Sequence, residues 1–219
     1  MGKVLFAAVP AIAIVLCAMA ASAHQDATPE AASAQPNAGI GMLLFLKRCA
    51  ACHGRHAWGD GPREIPALAG QRENYLIEQM ERFAADERRG SPMHGRAMFT
   101  SMQPADVNRR QGMLNLAAYL TQAARNPEPD HGPGQGLREA KEAFNSRCAT
   151  CHGDDGGGMP ERVPAIGGQH YEYLSARLSF LAAAPKSHPG QFGPARGADL
   201  EALADYISRL SYLRASAPP

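Results

Sequence analysis

Apolar residues in this chain of 219 residues come as one continuous run near the start and, beyond it, as short stripes at helical spacing. The run extends from Val4 to Ala21 behind the basic Lys3 and is interrupted only by Pro10. Ala21-Ser22-Ala23 then offers a small-residue cleavage pattern, followed by the polar His24-Gln25-Asp26. A basic start, an apolar centre and small residues at the exit mark a secretory signal peptide over residues 1–23. The run also lies near the lower length for crossing a bilayer, so an uncleaved N-terminal membrane anchor is the alternative. No later apolar stretch is long enough to span, and the mature chain is expected to be soluble and periplasmic.

Beyond the run the spacing is helical. Met113, Leu116, Ala117 and Leu120 share one helix face, as do Leu200, Leu203, Ala204, Ile207 and Leu210. Further helices are predicted over 41–48 and 137–147, and over 73–85 and 171–183 after a Gly-Gln turn. No segment alternates long enough to make a strand, so the fold class is all-α. Residues 24–38 are polar, rich in Ala and Pro and without an apolar face, and read as a flexible leader. Residues 126–136 hold three prolines and three glycines and cannot continue a helix, so they read as a linker of the same kind. The boundaries that follow are 39–125 and 137–213 for two domains, with a tail over 214–219.

The two domains repeat each other. Phe45 and Phe144 each lie four residues before a cysteine, with Arg48 and Arg147 immediately before it. Ile65-Pro66-Ala67-Leu68-Ala69-Gly70-Gln71 corresponds to Val163-Pro164-Ala165-Ile166-Gly167-Gly168-Gln169, and Tyr75-Leu76 to Tyr173-Leu174. Leu116-Ala117-Ala118-Tyr119-Leu120 matches Leu203-Ala204-Asp205-Tyr206-Ile207. One unit has been duplicated. Units this small sit near the lower limit for an independent core, where a bound cofactor supplies missing apolar mass.

Charge adds little: 22 Lys and Arg against 21 Asp and Glu leave the chain nearly neutral, which argues against a nucleic-acid partner. Cysteine usage adds a great deal. Four of the five cysteines form Cys49-Ala-Ala-Cys52-His53 and Cys148-Ala-Thr-Cys151-His152. Cys-x-x-Cys-His is the attachment pattern of a c-type haem: two thiols add to the two vinyl groups, and the adjoining histidine presents a nitrogen to the iron. Two haem c groups, with His53 and His152 as proximal iron ligands, are therefore expected. Covalent attachment takes place on the export side, which agrees with the signal peptide. A zinc site built from the two cysteine pairs is disfavoured by the histidine after each pair and by their separation in the chain. Thioredoxin-like chemistry would need a βαβ context.

These features together resemble the dihaem class I cytochromes c, of the cytochrome c4 type. The resemblance rests on the paired motifs, the Pro-x-Leu/Ile-x-Gly-Gln turn with Tyr-Leu after it, and the terminal Leu-Ala-x-Tyr helix, over about residues 39–213. It implies two all-α cytochrome folds acting as a periplasmic electron carrier between a redox-protein donor and acceptor, a membrane oxidase or reductase among the candidates. It also implies that the carbonyls of Pro66 and Pro164 orient His53 and His152. The sixth ligand in the family is usually a methionine 17 or 18 residues before the helix tyrosine. Met102 lies 17 residues before Tyr119, with Met98 as the reserve and Met93 and His94 farther off. The second half departs from the pattern. Its last methionine, Met159, comes too early, and the residue 18 places before Tyr206 is His188. Either His188 ligates the second iron, or it faces solvent and that site stays open. An open site would suit an enzyme, or the cytochrome subunit of a peroxide or sulfur-compound oxidoreductase, and this is the alternative to a simple carrier. His170, beside the second Gly-Gln turn where the first half has Arg72, is expected on the surface. Arg82, Arg88, Arg89, Arg96, Arg109 and Arg110 flank the first distal loop and form a candidate docking face for an acidic partner.

Overall fold

The structure is a computed structural model that describes residue 2 and residues 35–88, 109–160, 162–183, 188 and 197–211. Among these residues the regular elements are helical, with one isolated bridge between Asp60 and Ile65. In chain order they are α1 (Ala38–Arg48), α2 (Ala50–His53), α3 (Glu73–Ala84), α4 (Arg109–Gln122), α5 (Leu137–Arg147), α6 (Ala149–His152), α7 (Tyr171–Ala183) and α8 (Gly197–Ser208). A 3-10 turn covers Gly61–Arg63. Two mainly helical halves thus follow one another, the first built from α1–α4 and the second from α5–α8.

Each half is held by its first helix crossing its last. In the first half, α1 packs on α4 around Phe45, Met113, Leu116, Ala117 and Leu120. The second half repeats this with α5 on α8 around Phe144, Leu200, Leu203, Ala204 and Ile207. These are the stripes seen in the sequence; only Leu210 stays partly exposed, two residues past the end of α8. The α1–α4 crossing is close because of Gly41: a Cβ there would lie 1.9 Å from the Asn115 carbonyl oxygen. Asn37 sets the start of α1, accepting a hydrogen bond from Ile40 N at 3.0 Å while its own N–H donates to Asn115 Oδ1 at 2.8 Å. The cap begins the helix three residues earlier than the apolar spacing predicts.

The segment between the halves differs from the expected loose linker. It lies against α8, and the cause is Asp205, which is only 1% exposed. Its carboxylate accepts from Gly132 N at 3.0 Å, Gly134 N at 2.6 Å and Arg209 Nε at 2.7 Å. Arg209 Nη2 returns a bond to the Gly132 carbonyl. The first half has Ala118 at the equivalent position, so this clamp belongs to the second half alone. Within the described residues no helix is long and apolar enough to cross a membrane.

Removing the carboxylate would leave two linker amides and the Arg209 Nε–H without their acceptor. Asp205→Ala is expected to lower stability by about 2–4 kcal/mol, the range for stranding donors of a buried charged acceptor. An unchanged thermal unfolding midpoint would contradict this account.

Candidate haem-binding sites

Both Cys-x-x-Cys-His motifs fold as a single helical turn continuing from the preceding helix. Phe45 and Phe144 are fully buried and fix the end of that helix in the core. Cys49 N donates to Phe45 O at 2.8 Å and His53 N to Cys49 O at 2.9 Å, and Cys148 and His152 repeat the same two bonds. One turn therefore turns each histidine inward, at 8% and 7% exposure, while Cys52 and Cys151 remain at the surface. Four residues are too few to give a readable period, which is why α2 and α6 escape sequence inspection.

The chain then doubles back. Gly59 N donates to His53 O and Gly158 N to His152 O, at 2.9 and 2.7 Å. Both glycines have positive φ, 81° and 70°, and a Cβ on either would lie 2.3 Å from the carbonyl of Ile65 or Val163. Only glycine allows the returning strand to come so near. The approach brings the Pro66 carbonyl 2.9 Å from His53 Nδ1 and the Pro164 carbonyl 3.1 Å from His152 Nδ1. A carbonyl can only accept, so Nδ1 carries the proton and Nε2 keeps its lone pair. Burial holds both imidazoles below their ordinary pKa, partly offset by the proline bond; at His152 the neighbouring His188 lowers it further. Each histidine is thus neutral and oriented, with one nitrogen available to a metal.

The His188 ring lies parallel to that of His152. The ring centroids are 6.1 Å apart and the planes 5° from parallel. A metal–imidazole bond is about 2 Å, and the ring centre lies roughly 1 Å beyond the nitrogen, so two imidazoles sharing one metal have centroids about 6 Å apart. Met102 and Met98, together with Met93 and His94, lie outside the described residues, so the first distal position is not placed. Before a porphyrin is attached, burial and then Cys52 push the Cys49 thiol up to about 11, and burial also raises Cys148.

Two expectations are corrected. His170 is not a surface residue: it is 3% exposed, its Nε2 donates to the Trp58 carbonyl at 2.6 Å, and Nδ1 lies 3.0 Å from Asp130 Oδ2. Arg88 does not stand on a solvated docking face. Its Nη2 donates to Tyr173 OH at 2.9 Å, its guanidinium lies 4.7 Å over the Phe83 ring, and its buried Nε has no hydrogen-bond partner. Tyr75 and Arg177 complete this cluster. Burial, then Tyr173, raises the Tyr75 pKa, and burial, then the charge of Arg88, lowers that of Arg177.

His170 belongs to a set of contacts between the halves that sequence reading missed. Gln71 and Gln169, both buried, exchange bonds across the junction. Gln71 Nε2 donates to Ala165 O and Gln71 Oε1 accepts from Ala165 N, both at 2.8 Å. Gln169 makes the matching pair with Ala67, both at 2.9 Å. Arg72 donates to the carbonyls of Gly157 and Gly158, as its counterpart His170 does to that of Trp58. The repeated Gly-Gln is the only sequence signal, and nothing in it shows that each glutamine serves the other half.

The sequence profile of the Cytochrome c family matches residues 39–124 and 137–211. Cytochrome c4 of Azotobacter vinelandii is 27% identical over 215 residues, covering 91% of this chain and 98% of that protein. A thiosulfate dehydrogenase electron acceptor of Thiomonas intermedia (strain K12) is 30% identical over 139 residues, 59% of this chain and 60% of its own length. Among solved structures, reduced cytochrome c4 from Pseudomonas stutzeri aligns with a TM-score of 0.63 at 24% identity. It covers 80% of this chain and 100% of that one, a likeness of fold.

Gly59→Ala and Gly158→Ala each force a side chain into left-handed backbone against a carbonyl. Each is expected to destabilise the protein by about 2–4 kcal/mol. The measurement is the thermal midpoint of each holoprotein against wild type, and a shift within error would refute the role given to these glycines.

Proposed function

The chain belongs to the cytochrome c family, as a dihaem electron carrier of the cytochrome c4 type, and we propose that its two irons are ligated differently. Two covalent haem c groups are its cofactors. In this reading Cys49 and Cys52 hold the first, with His53 and Met102 as iron ligands. Cys148 and Cys151 hold the second, with His152 and His188. The units are residues 39–125 and 137–213, joined by 126–136, and residues 1–23 direct export to the periplasm.

The residues suit the group. Each half offers two thiols one helical turn apart and a neutral imidazole with a free Nε2. Between the halves, Arg88 keeps a buried Nε without a partner. Among the described residues, the charged and ionisable groups that act on Arg88 and Arg177 are each other, Tyr75, Tyr173 and Arg82, none of them a carboxylate. A haem c brings two free carboxylates, the complement that such a site lacks. When bound, each haem supplies a one-electron iron couple. The protein's part is to fix the axial nitrogens, bury them and set the charge around them.

The observation that carries the reading is the parallel pair His152 and His188. A loop histidine facing solvent has no reason to lie parallel to the buried imidazole at the separation a shared metal requires. It also favours a carrier over an enzyme with an open second iron. An imidazole stabilises ferric iron more than a thioether does, so the second haem has the lower potential and is reduced last. Donor and acceptor are redox proteins; the likeness to a thiosulfate dehydrogenase electron acceptor supports a dehydrogenase as one donor.

Mass spectrometry of periplasmic protein should show two haems per chain, and free thiols at all four motif cysteines would overturn the assignment. The ferric paramagnetic resonance spectrum should contain one bis-imidazole and one imidazole–thioether signal, and carbon monoxide should bind rapidly to neither reduced iron. His188→Met should raise the potential of one haem only, by on the order of 0.1 V within the ~0.8 V that axial ligation spans. Met102→Ala should abolish the far-red methionine–iron band; its persistence would transfer the role to Met98.

A further inference from the structure

We infer that Gln71 and Gln169 are crosswise positioning residues: each holds the peptide group that orients the proximal histidine of the opposite half, so that each half tunes the other's haem. This rests on His53 and His152 being the proximal ligands, and on nothing about the distal ones.

The argument turns on a single planar unit. The carbonyl of Pro66 and the N–H of Ala67 belong to one peptide group, which resonance keeps flat. The carbonyl accepts from His53 Nδ1 at 2.9 Å, and the N–H of the same group donates to Gln169 Oε1 at 2.9 Å. In the second half the Pro164–Ala165 peptide accepts from His152 Nδ1 at 3.1 Å and donates to Gln71 Oε1 at 2.8 Å. The two chains of bonds therefore read Gln169, Pro66–Ala67, His53 and Gln71, Pro164–Ala165, His152. Each glutamine also donates its Nε2 to the carbonyl of the same alanine, which belongs to the next peptide, so the alanine is held on both sides of its Cα.

Both glutamines are at most 8% exposed, and across the junction each amide both donates and accepts, while each Oε1 also accepts from the next backbone N–H of its own half. A buried carboxamide held at both ends by one backbone residue leaves that residue little freedom to rotate. It also polarises it. An N–H that donates pushes electron density onto its own carbonyl oxygen, and hydrogen bonds in series strengthen one another. A stronger acceptor at Nδ1 makes the imidazole a more basic ligand, which favours ferric iron. The glutamine of one half thus lowers the potential of the haem in the other. The glutamine of the same half has no comparable path, because its amide is turned away to the opposite peptide.

The test uses the full-length holoprotein with Gln169→Met and Gln71→Met, which keep side-chain volume and remove both bonds. Each haem is followed separately through its own resolved methyl resonances in a redox titration. Gln169→Met should raise the potential of the first haem and leave the second in place, and Gln71→Met should do the reverse. A two- to threefold change in the one-electron equilibrium corresponds to about 20–30 mV. Amide exchange should follow the same crossing, faster at Ala67 in Gln169→Met and at Ala165 in Gln71→Met. A shift at the haem of the substituted half, equal shifts at both, or no shift at either would overturn the inference. If a methionine variant does not fold, Gln169→Asn or Gln71→Asn shortens the carboxamide by one methylene and breaks the same contacts, and the same criterion applies. Unmoved potentials in protein that carries two haems would sink the crosswise role alone and leave the carrier function standing.

Discussion

The hydrogen bond from imidazole Nδ1 to a proline carbonyl is the contact around which each half is arranged. It decides which nitrogen keeps a lone pair and fixes the plane of the ring, so nothing that binds at Nε2 can be oriented without it. The rest of the local fold exists to put that carbonyl in place. The phenylalanine anchor ends the first helix where the motif turn must begin, and the turn buries the histidine. A glycine with positive φ then lets the chain return close enough for the proline oxygen to reach the ring. These steps recur in both halves with distances that agree within a few tenths of an ångström, as expected if the bond and not the surrounding sequence is what has been kept through duplication.

Around that shared frame the two halves have diverged, and the differences fall where the halves meet, at the connecting segment and beside the His152 imidazole. Arg72 and His170 occupy one position of the repeat, and both reach across to carbonyls of the opposite haem loop, one as a fixed cation and the other as an imidazole against Asp130. Ala118 and Asp205 occupy another, and only the second gathers the connecting segment onto its helix. The absence of a late methionine in the second half, set beside His188 parallel to His152, belongs to the same series. A carrier with two equal sites would gain nothing from such differences. Unequal sites give an electron a preferred direction.

Much of the fold was legible in the sequence. The helix faces of α4 and α8, the bounds of α5 and α7, the repeat and the two haem motifs all rest on local spacing, which a single sequence displays. What stayed hidden depends on residues far apart in the chain. Gln71 and Ala165 are 94 residues apart, and the sequence shows only that a glutamine recurs after a glycine. Asp205 shows in the sequence only as the counterpart of Ala118, because its three donors come from the linker and from Arg209 just past the end of α8. His170 looked solvated because a polar residue beside a turn usually is; its burial follows from the docking of the halves, which no local pattern encodes. Arg88 read as one of several surface arginines for the same reason.

The junction between the halves therefore has more than a mechanical part. It contains backbone carbonyls and amides met by buried side chains, and such groups need a defined geometry because leaving any one unpaired costs free energy. An apolar junction could slide by an ångström with small penalty. This one cannot, since each glutamine would lose two bonds at once and the peptide behind each proximal histidine would be freed. The same few bonds join the two Cys-x-x-Cys-His halves and hold the peptide behind each buried imidazole. On the crosswise role inferred for the two glutamines, distance and driving force, the two quantities that govern electron transfer between the haems, would both be set by one surface.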